Sequence, residues 1–456
     1  MARSVFGDGG KGVVAEADAR LAGVDEELAR RFPGEPAGRQ PVHTVYVPGD
    51  AFGPGTVREW GERALAALEE HAPDAAALAA AVGAPVDDAL YARVREKLRR
   101  EPVEDLRVDF EDGYGVRDDA EEDAAAAAAA RTLAAMAREG AQAGPGAPPY
   151  FGIRIKCLEA AVRARGIRTL DVFLAELLDA AGGVLPAGLL LTLPKVTYPQ
   201  QVSAMARLCT RIEESAGLPT GRLGFEIQIE TTQSILGPDG RATVALMIDA
   251  AEGRCTSLHY GTFDYSAACG ISAAHQALDH PAADHAKAVM QTAAAGTGVR
   301  LSDGSTNVVP VGGTEQVRSA WRLHHSLVRR SLARAYYQGW DMHPGHLPTR
   351  YAAVYAFYRA GLGDASARLA AYLDALDAAR LGASASAGTG TGPGAGAGAG
   401  EPAVLDEPAT ARALAGYLLR GLDCGAWAPE ELAAQGARPA PSRARLEELA
   451  GRSKQG

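Results

Sequence analysis

Between residues 41 and 345 the chain alternates short apolar runs with longer stretches whose apolar positions recur at helical spacing. The runs are VHTVYVPG (42–49), LRVDFED (106–112), YFGIRIK (150–156), GLLLTLPK (188–195), LGFEIQIE (223–230) and TSLHYGTFD (256–264). Two fainter ones follow, near GVRLSD (298–303) and GWDMHP (339–344). Strand-sized runs separated by helix-sized segments predict a parallel α/β fold. Eight such units in about 300 residues favour a (β/α)8 TIM barrel over an open sheet.

The flanks read differently. Residues 1–40 form a helical leader: VVAEADARLAGVDEELARRF keeps helical periodicity and stops at Pro33-Gly34. The barrel domain with its closing helices is expected over 41–381. Residues 382–403, rich in Gly and Ala, read as a flexible linker, and 404–456 as a small helical module ending in a frayed tail over 436–456.

Composition narrows the function classes. A net charge of −10 gives no basic footprint for nucleic acid. No apolar run reaches the roughly 18–20 residues that span a bilayer, so no membrane partner is expected. Five cysteines, scattered and never in CxxC spacing, fit a reducing cytoplasm rather than a disulfide or zinc framework. The aromatic set Tyr351, Tyr355, Phe357 and Tyr358 reads as helix packing, Cys157 and Cys269 as packing thiols, and His324 and His325 as partly exposed helix positions.

Chemistry gathers at the carboxyl ends of the predicted strands, which share one face in a barrel. These ends carry Asp109, Glu111 and Asp112, then Arg154 and Lys156, then Lys195, Glu230, Asp264, and finally Asp341 and His343. Alternation along the strand predicts Asp109 and Glu111 on one face and Asp112 on the other. Asp118, Asp119, Glu121, Glu122 and Asp123 precede an alanine run and suit the positive end of a helix. Glu230 and Asp264 offer two hard oxygen donors with no His or Cys beside them, a set that suits Mg²⁺. Arg154 is a planar fork able to grip a carboxylate. An ion beside such a clamp serves a 2-oxo or 2-hydroxy acid whose reaction builds enolate charge. A Schiff-base role for Lys195 is disfavoured, because neighbouring acids raise its pKa; substrate binding suits it better.

The same blocks resemble the HpcH/HpaI aldolase and citrate lyase β-subunit-like superfamily, which is related to malate synthases. The blocks are VYVPGD, VDFEDGYG, GIRIK, TLPKV, IQIETTQSI, LHYGTFDYSAACG and GWDMHPGH, in the family's order. The resemblance implies a (β/α)8 barrel, Mg²⁺ held by Glu230 and Asp264, and Arg154 on the substrate carboxylate. It also implies Glu111 and Asp112 near metal-bound waters, and His343 near the site through its Gly…His-Pro block. It further implies carbon–carbon lyase chemistry on a small oxo or hydroxy acid or its CoA thioester, in a homo-oligomer. Two departures stand out. GPDGRA (237–242) lengthens the spacing between Glu230 and Asp264, and the stretch 299–313 has no family counterpart. Two other readings remain open: a thioester hydrolase using the same site, and a binding subunit without catalysis.

Overall fold

The computed structural model describes residues 5–6, 10–140, 147–383, 406–435 and 441–453. Its strands are β1 (Glu35–Pro36), β2 (His43–Pro48), β3 (Asp105–Asp109), β4 (Tyr150–Arg154) and β5 (Leu189–Leu193). They continue with β6 (Phe225–Ile229), β7 (Cys255–Tyr260), β8 (Arg300–Ser302), β9 (Gly339–Trp340) and β10 (Arg452–Ser453). Strands β2 to β9 are parallel, in the order β8-β7-β6-β5-β4-β3-β2-β9. A parallel bridge between Ser302 and Gln338 joins the two ends. The fold is a (β/α)8 barrel.

Alternation along these strands sorts the side chains by polarity. Outward positions such as Val45, Leu106, Val108, Ile153, Leu191, Ile227 and Leu258 are buried against the surrounding helices and form the main apolar core. The barrel interior is polar instead, where bulky aliphatic layers are the common filling. Tyr46 pairs with Arg107, Arg154 with Thr192, Thr192 with Glu226, and Gln228 with His259 in the register of adjacent strands. Arg107 is wholly buried, donating from Nη2 to Glu226 Oε2 at 2.7 Å and from Nη1 to Asp105. Thr192 Oγ1 donates to Glu226 Oε1 at 2.6 Å, and His259 Nε2 lies 3.1 Å from Glu226 Oε2. Burial works to raise the Glu226 carboxyl, but Arg107 and then His259 outweigh it and hold the group far below its usual range.

A second apolar core lies on the flank of the barrel. There the helices Thr56–His71, Asp88–Arg100, Thr314–Ala333, Leu347–Ala383 and Pro408–Asp423 bury Trp321, Tyr351, Tyr355, Tyr358 and Trp427 among them. Tyr351, Tyr355 and Tyr358 therefore pack as expected. His324 and His325 do not: both are buried, because the helix carrying them packs between the helices Leu347–Ala383 and Ala75–Val82. The expected tail is ordered in part. The helix Arg443–Ala450 packs on Pro408–Asp423, and β10 pairs with β1, tying the end of the chain to the leader. Of the expected linker, residues 384–403 lie outside the described residues. The leader is a helix over Lys11–Arg31.

Candidate active site

The register of β3 and β4 places Asp109 beside Arg154 at the carboxyl end of the barrel. Arg154 donates from Nε to Asp109 Oδ1 at 2.6 Å and from Nη2 to Oδ2 at 2.7 Å. Asp109 also accepts the backbone N–H groups of Glu111 (3.0 Å) and Gly113 (2.8 Å). This buried carboxylate thus spends both oxygens holding the arginine and the turn after β3. The fork expected for substrate is engaged by the protein itself. Its remaining edge, Nη1, faces Gln228 Oε1 at 3.3 Å and Glu111 Oε2 at 3.5 Å, and the guanidinium lies over the Tyr46 and Trp340 rings.

Strand alternation does not govern the next two acids, because β3 ends at Asp109 and the chain turns. The turn keeps Glu111 buried and leaves Asp112 exposed, with its N–H donating to Glu111 Oε2 at 2.9 Å. Both acids meet Lys195, whose ammonium lies 2.8 Å from Glu111 Oε1, 2.5 Å from Asp112 Oδ2 and 3.8 Å from Asp264 Oδ2. Burial works to lower the Lys195 ammonium, but bonds from Asp112 and Glu111 outweigh it and raise the group above its usual range. A neutral, nucleophilic lysine is not what this setting produces. Its backbone is in the left-handed region, with φ of 49°, a conformation that costs a non-glycine residue energy and tends to persist where surroundings enforce it. The Lys195 N–H donates to Glu230 Oε1 at 2.7 Å.

Glu230 follows β6 directly and is 3% exposed. Burial pushes its carboxyl up to about 7, against the pull of Arg154 and Lys195 and with a further push from Asp264 and Glu111. Asp264 lies in the first turn of the short helix Thr262–Ala268 after β7 and is half exposed. Between them sits Gly261: a Cβ there would lie 2.4 Å from Glu230 Cβ and 2.6 Å from Oε2. Only glycine leaves this carboxylate its place. The mouth of the barrel therefore gathers Asp109, Glu111, Asp112, Glu230 and Asp264 around Arg154 and Lys195, five carboxylates against two cations.

Other expected residues lie elsewhere. His343 accepts the Gly345 N–H at Nδ1 (3.0 Å) and meets Arg63 Nη2 at Nε2 (3.3 Å); among the described residues it makes no hydrogen bond to the acid cluster. Asp341 is wholly buried and held by His43, His324 and Arg350. Lys156 turns away to Glu122 Oε2 at 2.7 Å and the Phe110 carbonyl at 2.8 Å. Glu122, in the first turn of the helix Asp119–Gly140 as expected, is also a buried ion-pair partner, and Asp118 caps that helix by accepting the Glu121 N–H at 2.9 Å. Cys157 is buried and Cys269 is exposed.

Three potential ligand groups, His324, Asp341 and His346, also lie close together. The two rings stack at 4.4 Å and 20°, and His324 Nε2 already lies 3.0 Å from Asp341 Oδ1. The Arg350 guanidinium already neutralises the carboxylate from 2.8 Å. This set reads as a polar clasp between β9 and its helices. The mouth cluster, by contrast, is all oxygen and carries excess negative charge, which fits a hard divalent ion.

A family model described as a domain of unknown function, DUF6986, matches residues 21–452. The chain belongs to this family. No curated protein matches the DUF6986 chain. Among solved structures, a citrate lyase from Burkholderia xenovorans is similar with a TM-score of 0.55 and 16% identity, covering 89% of this chain and 98% of that one. A malate synthase from Haloferax volcanii gives 0.46 and 14%, covering 70% and 76%. An HpcH/HpaI aldolase/citrate lyase family protein from Burkholderia cenocepacia gives 0.36 and 14%, covering 71% and 93%. At such identity the first likeness shows a shared barrel fold, the fold that the sequence resemblance implied.

The space at Gly261 gives a sharp expectation for the DUF6986 chain. Gly261→Ala displaces the Glu230 carboxylate and, on the Mg²⁺-binding reading proposed below, weakens Mg²⁺ affinity about a hundredfold with circular dichroism unchanged. Calorimetric titration reads this, and unaltered affinity would remove Glu230 from the ion site.

Proposed function

We propose that the DUF6986 chain is a Mg²⁺-assisted enzyme that makes or breaks a carbon–carbon bond in a small 2-oxo or hydroxy acid or its CoA thioester. The observation that carries this reading is the formal excess of three negative charges where five carboxylates face Arg154 and Lys195 at the barrel mouth. Such an excess in a partly dry site calls for a further cation. Glu230 and Asp264 hold it in this reading, and the bound ion supplies Lewis-acid stabilisation of enolate charge.

The chain's own residues do the rest. Lys195, at present the cation among the acids, is free to meet a substrate carboxylate once a divalent ion takes over Asp264 and its neighbours. Arg154 contributes its charge and its Nη1 edge, with Asp109 fixing its plane. Glu111, whose carboxyl burial raises despite Arg154 and Lys195, is suited to hold or move a proton, and Asp112 to orient water. A cytoplasmic location and a homo-oligomeric state belong to the same reading.

The occupied fork of Arg154 favours one competing reading, a binding subunit that has lost turnover. Incubation with Mg²⁺ and a panel of oxo acids, hydroxy acids and acyl-CoA esters separates the two. The proposal expects EDTA-sensitive turnover to two carbon fragments. Free CoA with an intact acid would reassign the site to thioester hydrolysis, and binding without turnover would favour the subunit.

A further inference from the structure

The leader helix Lys11–Arg31 has no buried residue along its 21 positions. It is anchored at its C-terminal end, where Arg31 meets Asp249 at 3.0 Å and the Gly34 N–H donates to the Gly296 carbonyl at 3.0 Å. Yet it carries an apolar seam. Val14, Leu21 and Leu28 recur every seven residues, with Ala17 and Val24 three places after the first two. Val14 is 58% exposed, and Leu21, Val24 and Leu28 are each 50% exposed. Most helical stability in proteins comes from packing an apolar face, and a continuous exposed apolar stripe marks a contact surface.

We propose that this seam pairs with the same helix of a second copy of the chain, as a short parallel coiled coil. The 3.5-residue spacing is that of a two-helix seam, narrower than the stripe a helix presents to a globular core. The flanking charges agree. With Val14, Leu21 and Leu28 at the first apolar position of each heptad and Ala17 and Val24 at the second, Arg20 flanks the seam opposite Asp25 of the partner copy. Other occupants fit less well. The helix carries Lys11, Arg20, Arg30 and Arg31 against Glu16, Asp18, Asp25, Glu26 and Glu27, a net −1, whereas helices that lie on anionic membranes are basic. The chain's own residues 384–405, SASAGTGTGPGAGAGAGEPAVL, hold large apolar residues only at their end and cannot fill a Val/Leu seam.

The test is the solution mass of the full chain by light scattering at micromolar concentration. Leu21→Asp, with the fold verified by circular dichroism, halves the assembly mass. Arg20→Asp weakens the assembly and Arg20→Asp with Asp25→Arg restores it. In a Cys269→Ser background, Val24→Cys forms an intermolecular disulfide under oxidation and Glu26→Cys, on the outer face, does not. An assembly mass unchanged by Leu21→Asp, or a wild-type chain that is monomeric at these concentrations, overturns the proposal, whatever the outcome at the barrel mouth.

Discussion

Glu230→Gln abolishes Mg²⁺ binding and lowers turnover on the order of a thousandfold, yet makes the metal-free protein more stable. The two effects have one cause. A glutamate carboxyl titrates near 4.5 in the unfolded chain and is pushed up to about 7 in the folded one by burial. Folding without a cation is therefore unpenalised below pH 4.5, increasingly penalised from there to 7, and fully penalised above. The shift corresponds to about 3 kcal/mol at full effect. Glutamine keeps an oxygen for the Lys195 N–H and carries no charge. Thermal unfolding in EDTA should show the variant more stable than wild type by several degrees at pH 8 and equal to it at pH 4.5. A stability gain that does not change with pH would show that Glu230 is not a strained carboxylate awaiting a cation.

Arg107→Met destabilises the barrel by about 3–5 kcal/mol and prevents soluble expression if the margin is small. The guanidinium is the cation between Glu226 and Asp105 in a wholly buried layer, and its loss strands two carboxyl groups away from water. Burial already raises Asp105 in spite of Arg107. Arg107→Met combined with Glu226→Gln recovers part of the loss, since the amide still accepts from Thr192 without a charge. Urea denaturation of the set measures this coupling. Additive effects would mean that the two residues do not act as a pair.

The strand pattern carried most of the fold. Each apolar run became a parallel strand, because outward positions such as Leu106, Val108, Leu191 and Ile227 needed only a helix to cover them. The interior was not legible in the same way. Arg107, Glu226 and His259 lie within strands, and a charged residue alternating with apolar ones reads as a solvated face until the sheet closes on itself. Their mid-strand positions, two to five residues before Asp109, Glu230 and Asp264, were the available signal.

At the site, chain order predicted which strand ends would meet, and Arg154, Lys195, Glu111, Asp112, Glu230 and Asp264 do gather. Side-chain pairing was hidden: Asp109 takes the arginine fork because strand register sets them side by side. Lys195 reaches the acids from a left-handed backbone that no periodicity announces. His343 was placed by its strand-end position and its motif, and its side chain turns instead toward Arg63.

Crystals grown or soaked with Mn²⁺ in place of Mg²⁺ test the account most directly through anomalous scattering. The account predicts one strong peak in coordination contact with carboxylate oxygens of both Glu230 and Asp264, with the Lys195 ammonium drawn away from Asp264. No peak at the barrel mouth, or a peak only at His324, Asp341 and His346, would contradict it.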